Sequence, residues 1–150
     1  MADDPHYFGF DLDRGIREQV VEKLEATPRL RLEKGVGPTA SGVYALYFKR
    51  KLVYIGKASK DTTKSKRTLR SRLAEHLKKL SGRKNISPSD VRCRYLTFDS
   101  EWWVFAAEFA LISHYEPEWN KSGFGSKVPG VGRPGTNRVS RFDEKFPKDA

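Results

Sequence analysis

Cysteine is almost missing from this 150-residue sequence: Cys93 is the single one. No internal disulfide is possible, a cysteine-based zinc site is disfavoured, and a reducing, cytoplasmic setting is expected. Cys93 sits in an alternating segment and reads as a packed thiol. No apolar run approaches the length of a membrane span, so no membrane partner is expected. The start is acidic at Asp3 and Asp4 and lacks the basic and apolar regions of a signal peptide. No internal repeat and no second domain are visible, so residues 1–150 read as a single domain able to bury a real core. The glycines at 123, 125, 130, 132 and 135 make neither a P-loop nor a dinucleotide fingerprint, because their spacing is wrong and no strand precedes them.

Acidic residues are also few relative to basic ones: 19 against 29 Lys and Arg, for a net charge of +10. A polyanionic partner fits this excess, since each neutralised phosphate releases condensed counterions. The plain alternative is a soluble basic or ribosome-associated protein.

The hydrophobic pattern predicts the elements. Asp13 reads as the N-cap of a helix over about 14–26, with Ile16, Val20 and Leu24 on one face. Residues 43–48 and 52–55 read as a β-hairpin around Lys49-Arg50-Lys51. A three-residue loop there pairs Tyr44 with Gly56 and puts Tyr44 and Tyr54 on one sheet face. Gly56 then leaves open space beside the Tyr44 ring; a two-residue loop shifts the register and loses this arrangement. A helix over about 68–80 comes next, with Leu69, Leu73, Leu77 and Leu80 buried and Arg67, Arg70, Arg72, Lys78 and Lys79 making its remaining surface positive. Gly82 stops it. Residues 91–98 form a third strand. Ser100 caps a helix over 101–115 that should be buried, being the most apolar stretch, and Pro117 ends it. The expected class is α/β (α+β): a small central antiparallel sheet of about three strands flanked by helices. Residues 121–150 form an irregular Gly- and Arg-rich tail.

Glu108 is the only charge in the run from Trp102 to Ile112. A carboxylate so placed needs a cation, good hydrogen bonds or a metal. A buried ion pair with an arginine and a ligand for Mg2+ or Mn2+ are equally open readings; such ions typically use one or two carboxylates plus phosphate oxygens. Arg72 and His76, four apart, share a helix face. They form either a solvated basic face or a pair that grips a phosphate and moves a proton. Tyr44 and Tyr54 read as core aromatics, or as acid–base groups if Lys57 and Arg72 lower the phenol pKa. Asn120 reads as a turn residue.

Taken together, Gly42-Val43-Tyr44 and Tyr54-Ile55-Gly56, with Arg72, His76, Glu108 and Asn120 after them in order, resemble the GIY-YIG nuclease superfamily. The resemblance spans about 41–120. His76, Trp119-Asn120 and the Gly-Phe-Gly segment resemble a narrower branch, the type II restriction endonucleases that cut GC-rich palindromes as homodimers. The valine in the first tripeptide and the short connection between the tripeptides depart from that branch. The resemblance implies a metal-dependent DNA endonuclease. In it Tyr44 orients or deprotonates water, helped by His76 and Tyr54. Glu108 holds one divalent metal, Arg72 stabilises the charge at phosphorus, Lys57 adds a positive field and Asn120 holds the geometry. It also implies 5′-phosphate ends, double-stranded DNA as partner, and additions at 13–27 and 121–150 that serve DNA binding or dimerisation. Arg70, Arg92, Arg94, Lys127, Arg133 and Arg138 are the candidate DNA-binding residues, with Arg141 a further candidate for base readout. Two other functions remain open: a structure-specific repair or recombination nuclease of the superfamily, and a non-catalytic basic nucleic-acid-binding module.

Overall fold

The computed structural model describes residues 4–9, 11–59, 67–122, 124 and 140–149. Most of the Gly- and Arg-rich tail, including Lys127, Arg133 and Arg138, lies outside the described residues. Helix α1 spans Leu12–Ala26. Strands β1 (Leu30–Arg31), β2 (Gly42–Phe48) and β3 (Lys51–Ala58) come next, then α2 (Leu69–Ser81), β4 (Val91–Thr97), α3 (Glu101–Tyr115) and the short α4 (Arg141–Lys145). The architecture is the expected α+β one. Among the described residues the sheet has four strands rather than about three, in the order β1-β4-β2-β3, with every pair antiparallel. The added strand is the two-residue β1, too short to leave an alternating pattern in the sequence.

The hairpin corrects one expectation and keeps its consequence. The loop is Lys49-Arg50, with φ of 52° and 67°, so Phe48 pairs with Lys51 and Tyr47 with Leu52. The register then slips between Leu46 and Tyr47, and Leu46 pairs with Tyr54. Val53 is the extra residue of a β-bulge. The bulge undoes the shift that a two-residue loop imposes, and Tyr44 does pair with Gly56. Val53 and Tyr54 accordingly both pack into the same core cluster.

Alternation along β2 divides the core into two layers. Tyr44 and Leu46 face α2, α4 and the 3-10 turn Glu118–Lys121, among Leu69, Leu73, Leu80, Trp119, Phe124 and Phe142. Val43, Ala45 and Tyr47 face α1 and α3, among Val20, Leu24, Val104, Ala107 and Leu111.

Helix α2 starts at Thr68, whose side chain accepts from the Ser71 N–H while Ser71 Oγ accepts from the Thr68 N–H. This reciprocal cap satisfies two orphan donors and fixes where the helix, with Arg72 and His76, begins. Helix α3 has its expected bounds and its Ser100 cap. It is not buried all round: Val104, Ala107, Ala110 and Leu111 face the core, while Trp102, Trp103, Phe105 and Phe109 are exposed. A helix against one face of a sheet buries only one stripe, however apolar the rest is. The N-cap of α1 is Asp11, which accepts from the Arg14 N–H, rather than Asp13. No described helix is long and apolar enough to cross a membrane.

Candidate active site

Tyr44 is fully buried, and its hydroxyl lies 2.6 Å from Nε2 of His76, itself 5% exposed. Burial, then the charges of Arg72 and Lys79, lower the His76 pKa to about 3. The Tyr44 phenol moves the other way: burial and the neighbouring Tyr54 push it well above its usual value, and Arg72 does not compensate. Near neutral pH the pair is therefore a protonated phenol against a neutral imidazole. With both groups neutral, the hydroxyl donates to Nε2 in the tautomer whose ring proton is on Nδ1, the tautomer that proton transfer from Tyr44 requires, and accepts from Nε2 in the other. The expectation that cations lower the Tyr44 pKa is corrected, because desolvation of a fully buried phenol outweighs one adjacent guanidinium.

Tyr54 stands beside this pair, its ring centroid 6.1 Å from that of Tyr44 and 5.2 Å from that of His76. Its pKa is also raised, by burial first. The charge of Arg72 acts on both tyrosines, lowering each phenol pKa against burial, and its Nη1 donates to Glu75 at 2.8 Å. Burial opposes its charge, but Tyr44, Glu75 and Tyr54 outweigh that and raise its pKa. Its Nε is buried with no hydrogen-bond partner among the described residues. A buried donor left unmade costs about 1–3 kcal/mol.

Glu108 is half-buried on α3, near enough that its charge raises both the Tyr44 and Tyr54 pKa values. Glycine at 56 is a steric requirement. A Cβ there collides with the Tyr44 hydroxyl and ring, so the absence of a side chain on the edge strand makes room for the phenol.

Asn120 is more than a turn residue. Its Oδ1 accepts from the Ile55 N–H at 2.9 Å, and its Nδ2 donates to the Ile55 carbonyl at 2.8 Å. One amide thus pairs with the free edge of β3 as a neighbouring strand would, between Tyr54 and Gly56.

The structure brings together Tyr44, Tyr54, Arg72, His76 and Glu108, with Asn120 behind them. Lys57 lies on the other face of β3, toward the helix that carries Glu108. It sits one residue past Gly56 on β3 and points to the α3 side, its Nζ 3.3 Å from the centre of the Phe105 ring. Arg70 is exposed on α2 and donates to the Gly37 carbonyl at 2.9 Å. Arg92 and Arg94 pair with Tyr47 and Ala45, which puts them on the α1 and α3 face of the sheet, away from Tyr44. Arg94 donates to the Tyr47 hydroxyl at 3.3 Å and Arg92 to the Ser89 carbonyl at 2.7 Å.

Sequence reasoning missed two supports. Ser41 and Ser59, at the outer ends of β2 and β3, donate to the two carboxylate oxygens of Glu101 at 2.5 and 2.7 Å, tying α3 to the hairpin. Phe124 is buried against His76, Tyr54, Trp119 and Phe142. The signal for it was an aromatic between two glycines.

The donor set can be tested against a divalent cation. Among the described residues no group of three or more His, Cys, Asp or Glu could hold a metal, so a cage made by protein alone does not fit. A hard ion held by one carboxylate and completed by water and phosphate oxygens does fit, with Glu108 as the carboxylate.

Residues 50–148 match the Eco29kI GIY-YIG domain family. The chain belongs to that family; the matched stretch takes in Tyr54, Arg72, His76, Glu108 and Asn120, and Tyr44 lies six residues before it on β2. Among solved structures it is similar to the GIY-YIG N-terminal endonuclease domain of UvrC from Thermotoga maritima, described as bound to its catalytic divalent cation, magnesium. That likeness has 22% identity and a TM-score of 0.41, and covers 71% of this chain and 96% of that one. No curated protein matches.

Proposed function

We propose that this protein is a type II restriction endonuclease that hydrolyses double-stranded DNA at a GC-rich palindromic site, using Mg2+ or Mn2+ and leaving 5′-phosphate ends. The observation that carries the reading is the buried Tyr44–His76 hydrogen bond beside Arg72, whose Nε has no partner among the described residues. Arg94 Nε, beside Tyr47 on the other face, is buried and unpaired as well, so the unpaired donor supports the reading through its place beside the Tyr44–His76 bond. A phosphodiester supplies the missing acceptor.

The chemistry comes from the protonation states. DNA binding must bring a water molecule to the Tyr44 oxygen, which is buried in the free chain; that water gives up its proton as Tyr44 passes its own to Nε2 of His76. The phenol then shuttles a proton and never has to exist as a free phenolate, which its raised pKa disfavours. Tyr54 holds the Tyr44 oxygen from the side. Arg72 meets the charge that develops on the phosphoryl oxygens. Glu108 would hold the divalent ion, which would supply Lewis-acid stabilisation at the scissile phosphate. Asn120 keeps β3, and hence Tyr54 and Gly56, in register. Lys57 acts only through its field. Arg70 and the tail residues Lys127, Arg133 and Arg138 contact the DNA backbone. Arg92 and Arg94, on the opposite face, reach DNA only if it passes around the sheet.

Digestion of plasmid DNA and of a branched duplex, with Mg2+ and with a chelator, tests the reading. Discrete plasmid fragments in Mg2+ alone support it. Cutting of branched DNA only points to a structure-specific repair or recombination enzyme. Binding without metal-dependent cutting points to a non-catalytic basic module.

A further inference from the structure

We infer that Phe124 is a positioning residue for the proton-transfer pair, holding the His76 imidazole in the plane that keeps Nε2 on the Tyr44 hydroxyl. The inference rests on the proposed nuclease reading and adds a residue to it. A histidine ring turns about a terminal torsion with broad, roughly two-fold preferences, so the side chain alone does not decide where Nε2 points. The neighbours must decide. Among the described residues, three aromatic rings touch His76. Those of Tyr44 and Tyr54 meet it at tilts of 52° and 67°. The Phe124 ring is the one that lies parallel, 18° from the imidazole plane with centroids 4.8 Å apart. Tilting the imidazole out of this plane drives its edge into that face, while the bond to the Tyr44 hydroxyl selects which of the two half-turn orientations is kept.

Phe124 is itself gripped. Its ring is 2% exposed and packs on Trp119 at 4.9 Å and Phe142 at 4.6 Å, with Tyr54 edge-on at 5.0 Å. Its carbonyl accepts from Lys79 Nζ at 2.5 Å, and that ammonium also lies 4.7 Å from the centre of the Phe124 ring. Lys79 is one helical turn beyond His76 on α2, so the same helix holds Phe124 at two points and receives the stack in return.

The test is a set of single-turnover and steady-state measurements on the full chain with Phe124→Leu, Lys79→Met, Tyr44→Phe and the Phe124→Leu/Tyr44→Phe double variant. Leucine keeps apolar bulk over His76 and loses the flat face. Phe124→Leu should lower kcat by about a hundredfold, the scale on which small misplacement of a reacting group is felt. KM and gel-shift affinity in Ca2+ should stay near wild type. The His76 imidazole NMR signals, sharp and of one tautomer in the wild type, should broaden. Lys79→Met removes the bond to the Phe124 carbonyl and the cation beside its ring, together with one charge that lowers the His76 pKa; it should show a smaller loss of kcat and serves if Phe124→Leu does not fold. In the Tyr44→Phe background Phe124→Leu should add almost nothing, because both act on one proton transfer. Wild-type kcat in Phe124→Leu, an effect on KM alone, or full additivity in the double variant would overturn the inference. A fully active Tyr44→Phe would instead remove the proton-transfer pair that Phe124 is said to position, and a wild-type chain that cuts no DNA in Mg2+ would remove the nuclease reading beneath it.

Discussion

At the scale of single residues, burial decides the chemistry of this site more than charge does. Tyr44 and His76 are each pushed toward their neutral forms, in opposite directions on the pH scale. At rest the proton between them therefore stays off the imidazolium form, and its passage to His76 requires the negative charge of a bound phosphate to offset the burial penalty on the imidazolium. Tyr44→Phe keeps the ring and removes the path. It should slow cleavage by about a hundred- to ten-thousandfold, and leaving His76 Nε2 unpaired should cost about 1–2 kcal/mol of stability. Single-turnover rates beside a thermal melt check both. A second expectation concerns acid stability. The folded pKa of His76, about 3, lies below its ordinary value of 6.5. As pH falls, the unfolded chain takes up this proton first. The contribution is therefore fully present above about pH 6.5 and is lost as pH falls toward 3. His76→Gln should flatten this part of the stability curve, read from urea unfolding at about pH 7, 5.5 and 4.

At the scale of elements, the hairpin shows how a local defect serves the site. Both loop residues, Lys49 and Arg50, are held at positive φ, which costs non-glycine residues about 1–2 kcal/mol each. Replacing them with Asn-Gly, the pair that favours this turn, should raise stability by about 1 kcal/mol without changing cleavage. Denaturant titration and a digest check the two halves of that statement. The same hairpin marks where the sequence can and cannot be read. Helix α3, its Ser100 cap and the face shared by Tyr44 and Tyr54 are legible because period, cap and alternation are local signals. The bulge at Val53 is not, since nothing in a run of apolar residues says which one is skipped by the partner strand. Asp11 and Asp13 are both good caps, and only backbone geometry separates them. Among the site residues, Tyr44, Tyr54, Arg72, His76 and Glu108 are legible through two tripeptides and the order of the polar residues beyond them. The place of Lys57 is not, since one step along a strand changes the face. The bond of Asn120 to Ile55 and the stack of Phe124 on His76 join residues 65 and 48 positions apart. No local pattern reports contacts of that kind.

At the scale of the whole molecule, the described residues of one chain present one proton-transfer pair with the Glu108 carboxylate near it, while a duplex has two strands to cut. Two copies on a palindrome supply two sites related by the same axis as the DNA. Sedimentation of the complex should give two chains per site, and affinity should fall with salt at a slope of about −0.9 per phosphate contacted. One chain per site would break the symmetry argument and leave the residue-scale account standing. The claim on which the rest depends is that Glu108, half-buried among the aromatics of α3, is there to hold a divalent ion against DNA. The direct measurement is plasmid cleavage in Mg2+ by Glu108→Gln beside its gel-shift affinity in Ca2+. The account predicts that cleavage is abolished while the affinity for DNA stays within about threefold of wild type, the scale of a small electrostatic change. Cleavage at a near-normal rate by Glu108→Gln would contradict it.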